Sequence, residues 1–112
     1  ETYLLLAEAY VQKNNAGMAA TALNPVRVRA QATPFAAVTA DILLDERARE
    51  LLGEEMRRMT LSRFGSAKLL ERVRSLNDQS KGVIKDHQVL WPIPQEVIDA
   101  NTGAPFAQNQ GY

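Results

Sequence analysis

A chain of 112 residues with 46% apolar content is long enough for one modest core and too hydrophobic for a disordered tract. Its 13 Lys and Arg offset 13 Asp and Glu, so net charge gives no support to a nucleic-acid or anionic-membrane role. With no cysteine, disulfides and thiolate chemistry are excluded, and no apolar run approaches the ~20 residues of a membrane-spanning helix.

The opening ETYLLLAEAY reads as amphipathic helix from its first residues, with Tyr3, Leu6, Ala7, Tyr10 and Val11 on one face. No methionine precedes it and no signal peptide is visible, so Glu1 is expected not to be the biological N-terminus. KNNAG supplies a turn in which Asn15 and Gly17 can take left-handed backbone angles. A second helix is expected from about Met18 to Ala30, with Ala19, Leu23, Val26 and Ala30 facing inward and Pro25 kinking or breaking it. Residues 1–31 match the tetratricopeptide pattern, small alanines allowing close approach while the larger residues fill the groove. Moved on by one repeat of about 34 residues the pattern is not repeated. One repeat cannot bury its own apolar face, so the pair must pack against other helices.

QATPFAAVT is a linker closed by Thr39, an N-cap candidate with Asp41 two residues on. The second segment, 39–77, holds one long helix from about Ala40 to Arg63 and a short one from Ser66 to about Leu76. The long helix has its apolar stripe at Leu44, Ala48, Leu51, Leu52 and Met59, with Gly53 a weak point of about 1 kcal/mol against alanine. Gly65 ends it, and Leu69, Leu70, Val73 and Leu76 line the short helix. After the turn NDQSKG comes the third segment, 83–112, in which VIKDHQVLW reads as extended. Pro92 and Pro94 exclude a helix or central strand across them, although Pro94 can open a helical turn with Glu96 near its start and Val97 and Ile98 inward. From Asn101 the residues favour loop. The fold class is all-α: a tetratricopeptide-like hairpin, further helices and a short extended proline-containing tail.

The densest charge pattern, DERARELLGEEMRR, contains the i,i+4 pairs Asp45–Arg49 and Glu54–Arg58, each worth ~0.3–0.5 kcal/mol. An acid–base pair or an anion site is the functional alternative, but no second acidic motif converges on it, which favours a solvated face or a buried structural network. His87 has only Asp86 beside it, no chelating geometry, and reads as a surface or packing residue. DANTG, residues 99–103, has its glycine at the wrong position for a calcium loop and no closing glutamate. No phosphate loop or nucleophilic triad is present, and the Pro-x-Pro spacing misses the Pro-x-x-Pro ligand pattern. No catalytic residue, metal ligand or cofactor is assigned. Trp91 is the candidate ligand-binding residue, since with Tyr112 it could offer aromatic faces to sugar rings; flanked by Leu90 and Ile93, it reads first as a core anchor.

Four pieces in order resemble the C-terminal region of the SusD/RagB family of outer-membrane nutrient-binding lipoproteins of Bacteroidetes. LLLAEAY with ALNPVRVRA is similar to the family's AEAY and LN.VR.RAG; ILLDERARELLGEEMRRMTLSRFG to I..ER..EL..EG.RW.DL.RWG; LWPIPQEVIDAN to LWPIP..EI..N; and QNQGY to QNPGY. Glu46, Arg47, Glu50, Leu51, Glu54, Arg57, Leu61, Arg63 and Gly65 fall on matching positions. Glu55 stands where the pattern has glycine, Arg58 where it has an aromatic, Thr60 for aspartate, Phe64 for tryptophan and Gln110 for proline.

The resemblance implies a non-enzymatic protein that captures oligosaccharides and delivers them to a SusC-like TonB-dependent transporter. It implies a surface-exposed location at the outer membrane through a lipidated N-terminal cysteine outside this segment. Most sugar contacts would lie upstream, and the closing residues would mark the C-terminus of a larger protein. Glu46, Arg47, Glu50, Glu54 and Arg57 would form a structural charge network, with Arg47 and Arg57 tying Glu50 and Glu54 into place. The alternative is a tetratricopeptide-type protein-interaction module without glycan binding.

Overall fold

Two helices open the chain, α1 over Thr2–Gln12 and α2 over Ala16–Arg29, joined by a tight turn into a hairpin. The computed structural model describes residues 1–112, which divide into two units, Glu1–Arg57 and Arg58–Tyr112.

The hairpin turn is a Schellman closure. The Asn15 N–H donates to the Tyr10 carbonyl and the Asn14 N–H to that of Val11, both at 2.9 Å, with Asn14 left-handed at φ 55°. The left-handed residue is therefore Asn14, not Asn15 or Gly17. Asn15 instead caps α2, its Oδ1 accepting from the Met18 N–H at 3.1 Å, and Gly17 lies inside α2. The inward face of α1 is also turned from the expected one: Leu4 and Ala7 are fully buried while Tyr3 and Leu6 point out. Three consecutive leucines leave the helical phase open, and packing against Ala19, Ala20, Ala22, Leu23 and Val26 of α2 decides it.

Pro25 does not end α2. The helix continues to Arg29, because Pro25 removes one N–H but leaves the later bonds in place, and Val26 beside it is buried. Asn24 exchanges two bonds with Phe35, Nδ2 to the carbonyl at 3.0 Å and Oδ1 from the N–H at 2.9 Å, holding the linker against the helix. A second Schellman closure follows, Ala32 N–H to Arg27 and Gln31 N–H to Val28, with Gln31 at φ 54°, and it leaves Ala30 exposed.

Thr39 caps α3, Ala40–Glu50, its hydroxyl accepting from the Ile42 N–H at 3.4 Å. The expected single helix to Arg63 is in fact two. After α3 the Leu51 carbonyl accepts from the N–H groups of Glu54 and Glu55, Gly53 takes φ 79°, and α4 starts afresh over Arg57–Arg63. Gly53 can occupy that left-handed angle without a Cβ penalty, which turns a weak helical position into a break. The break buries Leu51 and turns Leu52 outward at 85% exposure; Met59 is also exposed.

In the second unit α4 is followed by α5, Ser66–Leu76, whose buried apolar residue is Leu69, with Leu61 of α4 the other apolar residue buried there. Leu76, expected inward, is exposed. The stretch expected to be extended contains one turn of 3-10 helix, Asp86–Val89, with the Gln88 side chain accepting from the Lys85 N–H at 2.7 Å. The last helix, α6, Gln95–Ala100, begins directly after Pro94. Six α-helices and no strand make the fold all-α, and no helix is long and apolar enough to cross a membrane.

Candidate functional site

In the first unit the charge-rich stretch folds into two ionic knots. The Arg47 side chain is 1% exposed; its Nε and Nη2 both meet Glu55 Oε2, at 3.0 and 2.8 Å, with Glu1 3.5 Å from Nη2 and Glu8 3.7 Å from Nη1. Nη1 itself makes no hydrogen bond. Arg57 reaches the other oxygen of the same carboxylate, Glu55 Oε1, at 3.1 Å. A buried guanidinium is tolerable only with close anionic partners, and Glu55 is the nearest.

The second knot centres on Glu46, which accepts from Arg27 Nη1 at 3.0 Å and from Arg49 Nη2 at 2.7 Å. Arg27 also donates twice to the Thr33 carbonyl, at 3.0 and 2.9 Å, and lies 4.3 Å from the centroid of the Phe35 ring. Glu50 pairs with Arg29. The expected pairing is thus redistributed: Arg47 and Arg57 converge on Glu55, Glu50 belongs to Arg29, and exposed Glu54 takes no part. Arg49 turns to Glu46. These groups are tied to one another, so the arrangement holds elements of the first unit together.

In the second unit the closing residues form a clasp. Gln108 brackets Ile93, accepting from its N–H and donating to its carbonyl, both at 2.8 Å. Asn109 Nδ2 donates to the Trp91 carbonyl at 2.7 Å and the Tyr112 hydroxyl to that of Leu90 at 2.9 Å. Tyr112 packs edge-on against His87 with centroids 4.8 Å apart, and Gly111, at φ 99°, lets the chain pass so close to His87 that a Cβ would fall 2.5 Å from its Cγ. His87 is therefore a packing residue. LWPIP and QNQGY, separated in sequence, are one unit of structure.

That clasp fixes the backbone on both sides of Trp91 and leaves its side chain out. Within residues 1–112 Trp91 is 69% exposed, and its apolar neighbours do not bury it. Arg58 lies 5.2 Å from the ring centroid, its Nη2 anchored on the carbonyls of Gln88 at 2.6 Å and Val89 at 3.2 Å. Beside them opens a cavity of about 450 Å³, which Tyr112, Asn77 and Gln79 also line. A second, larger groove of about 680 Å³ runs past Arg74, Asp86 and Gly111, where Arg74 and Asp86 neutralise each other at 2.6 Å. No group of three or more His, Asp or Glu is arranged to hold a metal ion.

The whole length of the chain, residues 1–112, matches the SusD family, to which the chain belongs. It is 36% identical over 118 residues to the starch-binding protein SusD of Bacteroides thetaiotaomicron, an alignment covering 100% of this chain and 20% of that protein. The chain therefore spans about a fifth of the length of the curated relative it matches. No solved structure matches it.

Proposed function

We propose that the chain is part of a cell-surface glycan-binding protein that captures oligosaccharides by binding alone and passes them to a SusC-like TonB-dependent transporter. The observation that carries this reading is the family match over residues 1–112, joined to 36% identity with a protein named for starch binding. The buried carboxylates of Glu46 and Glu55 are paired with arginines, which supports a structural role for the charge-rich stretch. In this reading the protein is held at the outer membrane by a lipidated cysteine outside these residues. Most of the sugar contacts also lie outside them, and the segment supplies closure: the hairpin, the knots and the clasp.

Calorimetry of the intact protein against a panel of neutral oligosaccharides tests the reading. The expected result is saturable binding with unchanged sugar at the end of the titration. No binding to any member, or release of shorter sugars, overturns it. Micromolar binding by residues 1–112 alone would overturn the assignment of the main contacts to the rest of the protein. The alternative, a tetratricopeptide-type adaptor, finds support in the exposed Tyr3, Leu5 and Leu6 of α1, and predicts a protein partner on that face in place of a glycan.

A further inference from the structure

We infer that the cavity beside Trp91 is a secondary saccharide subsite that takes a single neutral pyranose ring, stacked on the indole and hydrogen-bonded by the amides of Asn77, Gln79 and Gln88. The inference rests on the glycan-binding reading above and adds a contact within this chain, separate from the main site assigned elsewhere in the protein.

Four observations carry it. First, the indole is exposed while its backbone is fixed. The carbonyls of Leu90, Trp91 and Ile93 and the N–H of Ile93 are each bonded by a side chain of the closing segment, at 2.7–2.9 Å. A large apolar ring held out to water on a rigid backbone is prepared for a ligand, because little ordering remains to be done on binding. Second, Arg58 stands over the indole with its Nη2 anchored on two carbonyls, so its position is fixed as well. The ring then has a defined free surface for the C–H face of a sugar. Third, the polar lining is of the right kind. Asn77 and Gln88 each use their side-chain oxygen internally, accepting from Gln79 N–H at 3.0 Å and Lys85 N–H at 2.7 Å. Their NH₂ groups, and the Gln79 side-chain amide, have no partner within residues 1–112, which leaves donors and an acceptor for vicinal hydroxyls. No acidic side chain lines the cavity, so neither a cation nor general-acid chemistry is served. Fourth, the volume, about 450 Å³, falls in the roughly 300–1,000 Å³ range of small-ligand sites. One ring on one aromatic face with a few exposed amides binds weakly, with a dissociation constant on the order of millimolar.

The test uses the intact protein labelled with 5-fluorotryptophan, the Trp91 resonance being assigned by its disappearance in Trp91→Phe. Methyl α-glucoside and maltoheptaose are titrated while the fluorine spectrum is followed, and maltoheptaose binding is measured in parallel by calorimetry. The expected result is a saturable shift of the Trp91 resonance. In Gln79→Ala, an exposed loop change that cannot unfold the protein, the midpoint of that shift rises about fivefold while the calorimetric affinity of the main site is unchanged. A Trp91 resonance that stays still while calorimetry reports normal binding overturns the subsite and leaves the glycan-binding reading intact. So does a shift that Gln79→Ala leaves untouched. Absence of both shift and heat with these sugars overturns the subsite, while the glycan-binding reading falls only if the whole oligosaccharide panel gives no heat.

Discussion

The two units solve the same problem, holding a short helical chain together, by opposite means. In Glu1–Arg57 the helices close on a continuous apolar core running from Leu4 through Leu23 to Leu44 and Leu51. Into it the chain sinks a guanidinium, that of Arg47, and three carboxylates, those of Glu8, Glu46 and Glu55. In Arg58–Tyr112 only Leu61 and Leu69 are buried apolar residues, and much of the order comes from side chains bonding backbone: Gln108, Asn109, Tyr112, Arg58 and Arg74 all end on carbonyls. A core distributes its stabilisation over many contacts and unfolds as a whole. A clasp concentrates it in a few bonds that open locally. The first unit should therefore answer to mutation globally, and the second site by site.

The sharpest way to break that contrast is Arg47→Ala. Removing one partner of a buried pair leaves the carboxylates around it uncompensated, and a loss of about 3–5 kcal/mol is expected, read as a lower denaturant midpoint for the first unit. If burial and not charge is what the position needs, Arg47→Met combined with Glu55→Gln should recover at least half of that loss. A double variant as unstable as Arg47→Ala would show that the ionic contacts themselves hold the turn after α3.

Gln108→Ala is the corresponding cut in the second unit. It removes both bonds to Ile93, for an expected local loss of about 1–3 kcal/mol at ~1 kcal/mol per bond. The Ile93 amide should exchange with solvent several-fold to a hundredfold faster, while amides of α1 and α2 keep their protection. Equal acceleration in both units would mean that the clasp is not an independent device. Gly111→Ala should act in the same place by strain: its φ of 99° and the 2.5 Å approach to His87 demand that the terminus move. About 1–2 kcal/mol is expected, with loss of the His87–Tyr112 ring contact visible in their proton shifts.

What could be read in the residues beforehand follows the same division. Local signals were legible: Thr39 as a cap, Pro94 as a helix opener, the hairpin, the start of α5 after Gly65. The break after α3 was not, because LLGEEMRR is helix-favouring at every position except Gly53, and one glycine costs only about 1 kcal/mol. Burial of Leu51 outweighs it. The face of α1 was misjudged because LLL allows two phases. Long-range side-chain contacts were beyond reach, and the instructive cases are the departures from the family pattern. Glu55, standing for glycine, is the carboxylate on which Arg47 and Arg57 converge, and Arg58, standing for an aromatic, carries the contact to Trp91. Trp91 reads as core because its neighbours are apolar, whereas its ring is exposed within residues 1–112. One signal could have exposed the clasp: amide side chains at Gln108 and Asn109, opposite a proline-rich stretch whose unpaired carbonyls need donors.

The smallest expected effect, Arg57→Ala, separates two roles of the same carboxylate. Arg57 is 31% exposed in its side chain and touches Glu55 through one oxygen at 3.1 Å, while Arg47 holds the other oxygen from within the core. Loss of Arg57 leaves Glu55 paired, so the buried charge is still compensated and the penalty is that of a half-exposed ion pair, about 0.5–1 kcal/mol. At roughly 4–8 °C per kcal/mol for a unit of this size the thermal midpoint should fall by about 2–8 °C. In a Glu55→Gln background the same change should have almost no effect, since its partner charge is gone. An unchanged midpoint for Arg57→Ala alone would leave Arg47–Glu55 as the whole of the knot. A drop as large as that of Arg47→Ala would mean that the turn from Leu51 to Met56 is held from its exposed end as firmly as from its buried one.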